Sequence, residues 1–177
     1  MIQTASQPSP RIELAPGAED NGLAVMLGDL VRQNLEAKPH KMADFKGLTG
    51  RVAIVAEDAE VALTLVFERD PAKWDRTILT IHDGIAGIPD VTIRGPSEAI
   101  IALSNIPLGA PLGLPFPGVA AWKAWKWWDR KAMWGDPGWK TLAELYELMH
   151  AEKLHFYGSF MHLGLAMKLT RVMSVNG

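Results

Sequence analysis

No cysteine occurs among the 177 residues. That excludes a disulfide framework, a thiol nucleophile, and Cys-ligated zinc or iron–sulfur sites. No uninterrupted apolar run reaches the roughly 18 residues that a bilayer-spanning helix needs. The opening stretch, MIQTASQPSPRIELAPGAED, has no charged region followed by an apolar core, so it does not read as a secretory signal. Charge of neither sign dominates: the formal net charge is -2, and no global field gathers nucleic acid. The Gly-x-Ser-x-Gly, P-loop and Gly-x-Gly-x-x-Gly motifs are absent. The Gly/Pro segment from Gly109 to Gly118 lacks the following Lys of a phosphate cradle. Glu147 and His150 have the Glu-x-x-His spacing of a di-iron half-site, but it occurs once, and such sites need two copies and further Glu. Neither a metal nor a cofactor is expected.

What is present supports one core. Hydrophobic residues make up 48% of the chain and charged residues 21%, enough for a single domain. Residues 1–20 are rich in Pro, Ser and Gly and read as a flexible arm; 21–177 read as one domain. From Asn21 the pattern is helical, with Leu23, Met26, Leu27, Leu30, Val31 and Leu35 spaced by three and four,. Pro39 stops that helix. The period then falls to two. Strands are expected at 51–56, 61–68, 77–82, 90–94 and 154–157, with Leu63, Leu65 and Phe67 on one face of the second. Asp83-Gly84 is a turn dipeptide. Short sequential strands favour an antiparallel meander. Helices are expected after Pro96, from Lys140 to Ala151, and from about Ser159 to Met173.

Seven Trp occur, and six of them lie between Trp122 and Trp139. Treated as a helix at about 100° per residue, Ala121 to Met133 puts Trp122, Trp125 and Trp128 on one side. Lys123, Lys126 and Arg130 fall on the other, with Trp127 beside them. Four readings stay open for this stretch. It can close a core, since each Trp buries about 150–250 Å². It can be a membrane-facing cover, because Trp prefers headgroups and Lys or Arg meets anionic lipid. It can be a partner interface or a stacking platform for single-stranded nucleic acid; the acidic balance disfavours the last.

Two stretches carry a family resemblance. The end, from Glu152 to Leu169, reads EKLHFYGSFMHLGLAMKL; it resembles the closing strand, glycine and helix of the sterol carrier protein type 2 family. The middle, IPDVTIRG from Ile88 to Gly95, is similar to that family's P-D-V-T-I strand. The resemblance covers roughly residues 25–107 and 140–175. It implies an α+β fold: a five-stranded, mostly antiparallel sheet, covered on one face by helices that enclose a hydrophobic cavity. The chain departs from the family by a Trp-rich insertion, about 107–140, before the last strand.

The resemblance also implies non-catalytic binding and transfer of a hydrophobic lipid, such as a sterol, fatty acid, acyl-CoA or phospholipid. An alternative is an accessory protein that presents an isoprenoid quinone precursor to biosynthetic enzymes. The cavity would be lined by Leu63, Leu65, Phe67, Leu79, Ile81, Ile100, Leu103, Phe160, Met161, Leu165 and Leu169. Trp122, Trp125 and Trp128 would cover it, and Lys123, Lys126, Trp127 and Arg130 would touch a membrane. A hydrolase or isomerase would need an inward-facing acid and base, and the inward positions are almost all apolar. The final residues, Ser174-Val175-Asn176-Gly177, are not the peroxisomal tripeptide of some eukaryotic relatives, which leaves a bacterial cytosol, with peripheral membrane contact, as the expected location.

Overall fold

The computed structural model describes residues 10–105, 147, 151 and 153–175. Its elements in chain order are β1 (Arg11–Leu14), α1 (Gly22–Ala37), α2 (Lys41–Lys46), β2 (Gly50–Ala56), β3 (Val61–Asp70), β4 (Lys73–Asp83), β5 (Val91–Gly95), α3 (Ser97–Ala102), β6 (His155–Tyr157) and α4 (Leu163–Met173). Single 3-10 turns at Ala18–Asp20 and Leu103–Asn105 complete them.

The six strands form one sheet in the order β1-β4-β3-β2-β5-β6. β2, β3 and β4 make the expected antiparallel meander. The meander then stops. β5 does not follow β4 but returns to pair in parallel with β2, with Ile54 opposite Ile93. β1 pairs in parallel with β4, and β6 closes the far edge antiparallel to β5. Among the described residues the sheet is therefore mixed and six-stranded, where five mostly antiparallel strands are expected; three of its five pairings are antiparallel. The sixth strand comes from residues 11–14, within the stretch that composition assigned to a loose arm.

The parallel return needs a connection across the sheet, and residues 84–90 supply it as a strap over the outer face. Thr64 anchors it. This residue lies in the apolar run of β3 with no exposed surface. Its hydroxyl donates to the carbonyl of Gly84 at 2.9 Å and accepts from the amide of Ala86 at 2.9 Å. A buried hydroxyl is tolerated when it is satisfied in this way. Gly84 at φ 71° and Gly87 at φ 73° provide the left-handed bends, which other residues adopt only at a cost.

The helices lie on the opposite face. Asn21 caps α1, its side-chain oxygen accepting from the amides of Leu23 and Ala24 at 3.1 and 3.2 Å, and its amide group donates to Asp83 at 2.6 Å. The helix start is thereby tied to the end of β4. A Cβ on Gly28 would lie 3.4 Å from Cδ1 of Ile81, so α1 rests closely on β4. Leu27, Val31 and Leu35 of α1 join Val52, Ile54, Leu63, Leu65, Phe67, Leu79, Ile81, Val91 and Ile93 of the strands in one hydrophobic cluster. Phe45 of α2 meets Phe67 edge-on at 6.4 Å. Each such side chain contributes about 1.5–3 kcal/mol when fully buried. That cluster is what places α4 over the sheet.

Candidate functional site

α4 is the element on which the lipid expectation turns, and it is fixed unevenly. Its C-terminal half is locked. Leu169, Val172 and Met173 are buried in the core. The carbonyls that a helix leaves unpaired at its C-terminus are met by three side chains from α1, the linker and α2. Asn34 donates to Val172 and Met173 at 3.0 and 2.8 Å, Lys38 donates to Val175 at 2.6 Å, and Lys41 donates to Ser174. Lys41 is 2% exposed. Loss of hydration, and then the nearby charge of Lys38, push its ammonium down to about 8. Sequence reasoning missed this capping trio, because its partners lie more than 130 positions away and no local pattern reports them.

The N-terminal half is looser. Leu163 is 37% exposed, and Leu165, Ala166 and Met167 are half-buried. This half crosses the start of β2, where Leu165 Cδ2 would lie 2.9 Å from a Cβ on Gly50. The turn that leads into it hangs on Asp90. Gly158 has φ 73°, and a Cβ there would lie 2.1 Å from the Asp90 carbonyl oxygen, so only glycine fits. Asp90 in turn clamps β2: its amide donates to Arg51 O at 2.9 Å and its carboxylate accepts from the Arg51 amide at 2.8 Å. The apolar strand, glycine and helix quoted from the sequence are thus β6, Gly158 and α4, and the Pro89-Asp90 step is their support.

The expected cavity residues divide into three groups. Leu63, Leu65, Phe67, Leu79, Ile81, Ile100 and Leu169 are all at most 2% exposed within the closed cluster. Leu103 and Leu165 are partly buried and pack against it. Phe160 and Met161, expected on the wall, are instead 80% and 85% exposed, because the turn after Gly158 directs them outward before the helix begins. Trp122, Trp125, Trp128, Lys123, Lys126, Trp127 and Arg130 lie outside the described residues, as does the whole expected insertion at 107–140 and most of the helix expected from Lys140 to Ala151.

Two of the clefts among the described residues open elsewhere. One of about 490 Å³ lies at the end of the sheet beside Asn21, Leu23, Val61, Asp83 and Ser97. The other, about 340 Å³, lies on the outer face between the strap and β4, bordered by Arg51, Val66, Glu68, Thr80 and His82. Near the first, Asp58 accepts from the amide and hydroxyl of Ser97 at 2.6 and 2.7 Å, and these bonds lower its carboxyl. His155 and Tyr157 stack at 5.9 Å on β6, away from the core as their alternation with Leu154 and Phe156 predicts. Among the described residues no group of three His, Asp or Glu is arranged to hold a metal, and no helix is long and apolar enough to cross a membrane.

The class these elements define is an α+β domain with a mixed six-stranded sheet backed by helices on one face. Among solved structures, one described as "UbiJ-SCP2 Ubiquinone synthesis protein" aligns with a TM-score of 0.49 at 11% identity, over 90% of this chain and 98% of that one. No family model and no curated protein matches the chain.

Proposed function

We propose that this protein binds a hydrophobic lipid without transforming it, and carries or presents it to other components. The observation that carries the reading is the gradient along α4. The helix is capped and buried from Leu169 onward, yet its first turns keep Leu163, Leu165 and Met167 only partly covered. A lipid chain entering beneath those turns would meet Leu165 first. Leu63, Leu65, Phe67, Leu79, Ile81, Ile100, Leu103 and Leu169 would border it deeper in. A closed core can admit a ligand when one covering element is weakly held. The family resemblance of β6, Gly158 and α4 supports the same reading. The amphipathic pattern of the insertion, which lies outside the described residues, adds that Trp122, Trp125 and Trp128 would contact the lipid and Lys123, Lys126, Trp127 and Arg130 would face a membrane. Presentation of an isoprenoid quinone precursor is the narrower form of this role.

The test is native mass spectrometry of the protein as purified, with extracted lipids identified, alongside titration with a fluorescent fatty acid. Co-purifying lipid or saturable uptake is the expected result. No lipid in either experiment would sink the proposal.

A further inference from the structure

The strap walls one side of the cleft of about 340 Å³ on the outer face of the sheet. That volume falls in the range of small-molecule sites. The helices, α4 among them, lie on the other face. The strap holds the cleft in shape. Thr64 pins it at Gly84 and Ala86 through two bonds of 2.9 Å. The Arg51 side chain lies along it at Gly87, where a Cβ would stand 3.6 Å from Arg51 Cδ.

The cleft has polar groups at two ends and an apolar floor between them. Arg51 on β2 stands opposite Val66 on β3, and Val66 stands opposite Thr80 on β4. Adjacent strands are about 4.8 Å apart, so Arg51 and Thr80 are separated by roughly 10 Å at the backbone. Val66, 7% exposed, forms the floor, and Ala86 of the strap flanks it. At the β4 end, Thr80 and His82 are half-buried on one face. Neither the Thr80 hydroxyl nor the His82 imidazole bonds to another described residue, whereas Thr64 and Thr77 of the same sheet are both engaged. A hydroxyl and a neutral imidazole can each donate or accept.

The β2 end carries one charge of each sign. Arg51 Nη2 lies 3.8 Å from Glu68 Oε1, too far for a hydrogen bond. Guanidinium and carboxylate therefore both keep their hydrogen-bonding capacity. The neighbouring carboxylates are placed elsewhere. Glu13, opposite Thr80 in register, is held by Arg11 at 2.5 Å. The Asp90 carboxylate lies on the helix side of β2, 2.6 Å from a Cβ on Gly50 and close to Leu165. The Arg51 side chain, one position along the strand, points to the other face. Charge within the cleft is balanced.

We infer that this cleft binds a zwitterionic α-amino acid whose side chain ends in a hydrogen-bonding group. Its carboxylate meets Arg51 and its ammonium meets Glu68. The two groups share one carbon, which matches opposite charges set this close, and both bonds are charge-assisted. The side chain crosses Val66, and its polar tip reaches Thr80 and His82. A simple anion would be repelled by Glu68, and a simple cation by Arg51. The site lies on the face opposite α4 and does not rest on the lipid reading.

Amide NMR titration of the full chain with L-tyrosine tests it. Saturable shifts are expected at Arg51, Val66, Thr80, His82 and Ala86. Tyramine lacks the carboxylate and para-hydroxyphenylpropionate lacks the ammonium; each should bind about tenfold more weakly. Phenylalanine, without the hydroxyl, should bind about threefold more weakly. Arg51→Gln retains the backbone bonds to Asp90 and should bind tyrosine no better than tyramine. Glu68→Gln should lose only the preference over para-hydroxyphenylpropionate. A general disturbance of the fold would not pair each variant with its own missing group. No saturable shift with tyrosine, histidine or glutamine would overturn the site. So would equal binding of tyrosine and tyramine by the wild type, or shifts centred on α4. Lipid uptake enters none of these measurements, so failure of either idea leaves the other standing.

Discussion

The side-chain amide of Asn34 on α1 donates to two carbonyls at the end of α4, those of Val172 and Met173, at 3.0 and 2.8 Å. The residue is 6% exposed, so water does not replace these bonds. Asn34→Leu would leave both carbonyls short of a donor within the core. The expected loss is about 1–3 kcal/mol, read as a lower urea midpoint with an unchanged denaturant slope. Asn34→Asp should cost more, because it sets an acceptor against two acceptors. Equal stability of all three proteins would remove Asn34 from the anchoring of α4.

Lys41 makes the same anchor sensitive to pH. Its folded-state pKa, about 8, lies below the ordinary lysine value of 10.5. Between those values the unfolded chain binds more protons than the folded one, so stability rises with pH. Below about pH 8 both states are protonated, and the folded state carries the full cost of a buried ammonium. The gain from pH 8 to 10.5 is on the order of a few kcal/mol. It is isolated by comparing wild type with Lys41→Met: the difference between their urea-derived stabilities should change across that window and stay constant below it.

Thr64→Val keeps the shape of the side chain and removes both bonds to the strap. The carbonyl of Gly84 and the amide of Ala86 each lose a partner held at 2.9 Å. A cost of about 1–2 kcal/mol is expected, accompanied by faster amide exchange at residues 84–87 than in β3. Faster exchange throughout the sheet instead would mean that Thr64 serves the core and not the strap.

Sequence pattern reached some of these features and not others, for identifiable reasons. The period-two runs located β2 to β6 within a few residues, because alternation reports a strand regardless of its partner. It does not report that partner, which is why β5 was expected in the meander and instead pairs with β2. Residues 11–14 form a strand by pairing along β4, a long-range event that Pro- and Ser-rich composition conceals. Leu63, Leu65, Phe67, Leu79 and Ile81 were legible as inward residues from their spacing. Phe160 and Met161 were not legible as surface residues. The family resemblance implies a wall position for them, and the bend at Gly158, forced by contact with Asp90, decides their direction.

Two glycines in the same segment make opposite predictions. Gly158 has φ 73° and no room for a side chain, with the Asp90 carbonyl oxygen 2.1 Å from a Cβ position. Gly158→Ala therefore requires the turn to leave Asp90, and should destabilise the protein by roughly 2 kcal/mol or more. It should also loosen the start of α4, seen as faster exchange at Ala166 and Met167 than at Leu169 and Val172. Gly164 lies in the first turn of α4 with nothing within 4 Å of a Cβ. Gly164→Ala should stabilise the helix by up to about 1 kcal/mol, slowing exchange over those same first turns. If entry of a lipid depends on opening this half of α4, Gly164→Ala should slow fatty-acid uptake while leaving its final extent nearly unchanged. Stopped-flow uptake of a fluorescent fatty acid measures this directly. A rate equal to wild type, in a variant whose α4 amides exchange more slowly, would show that the lipid enters by another route.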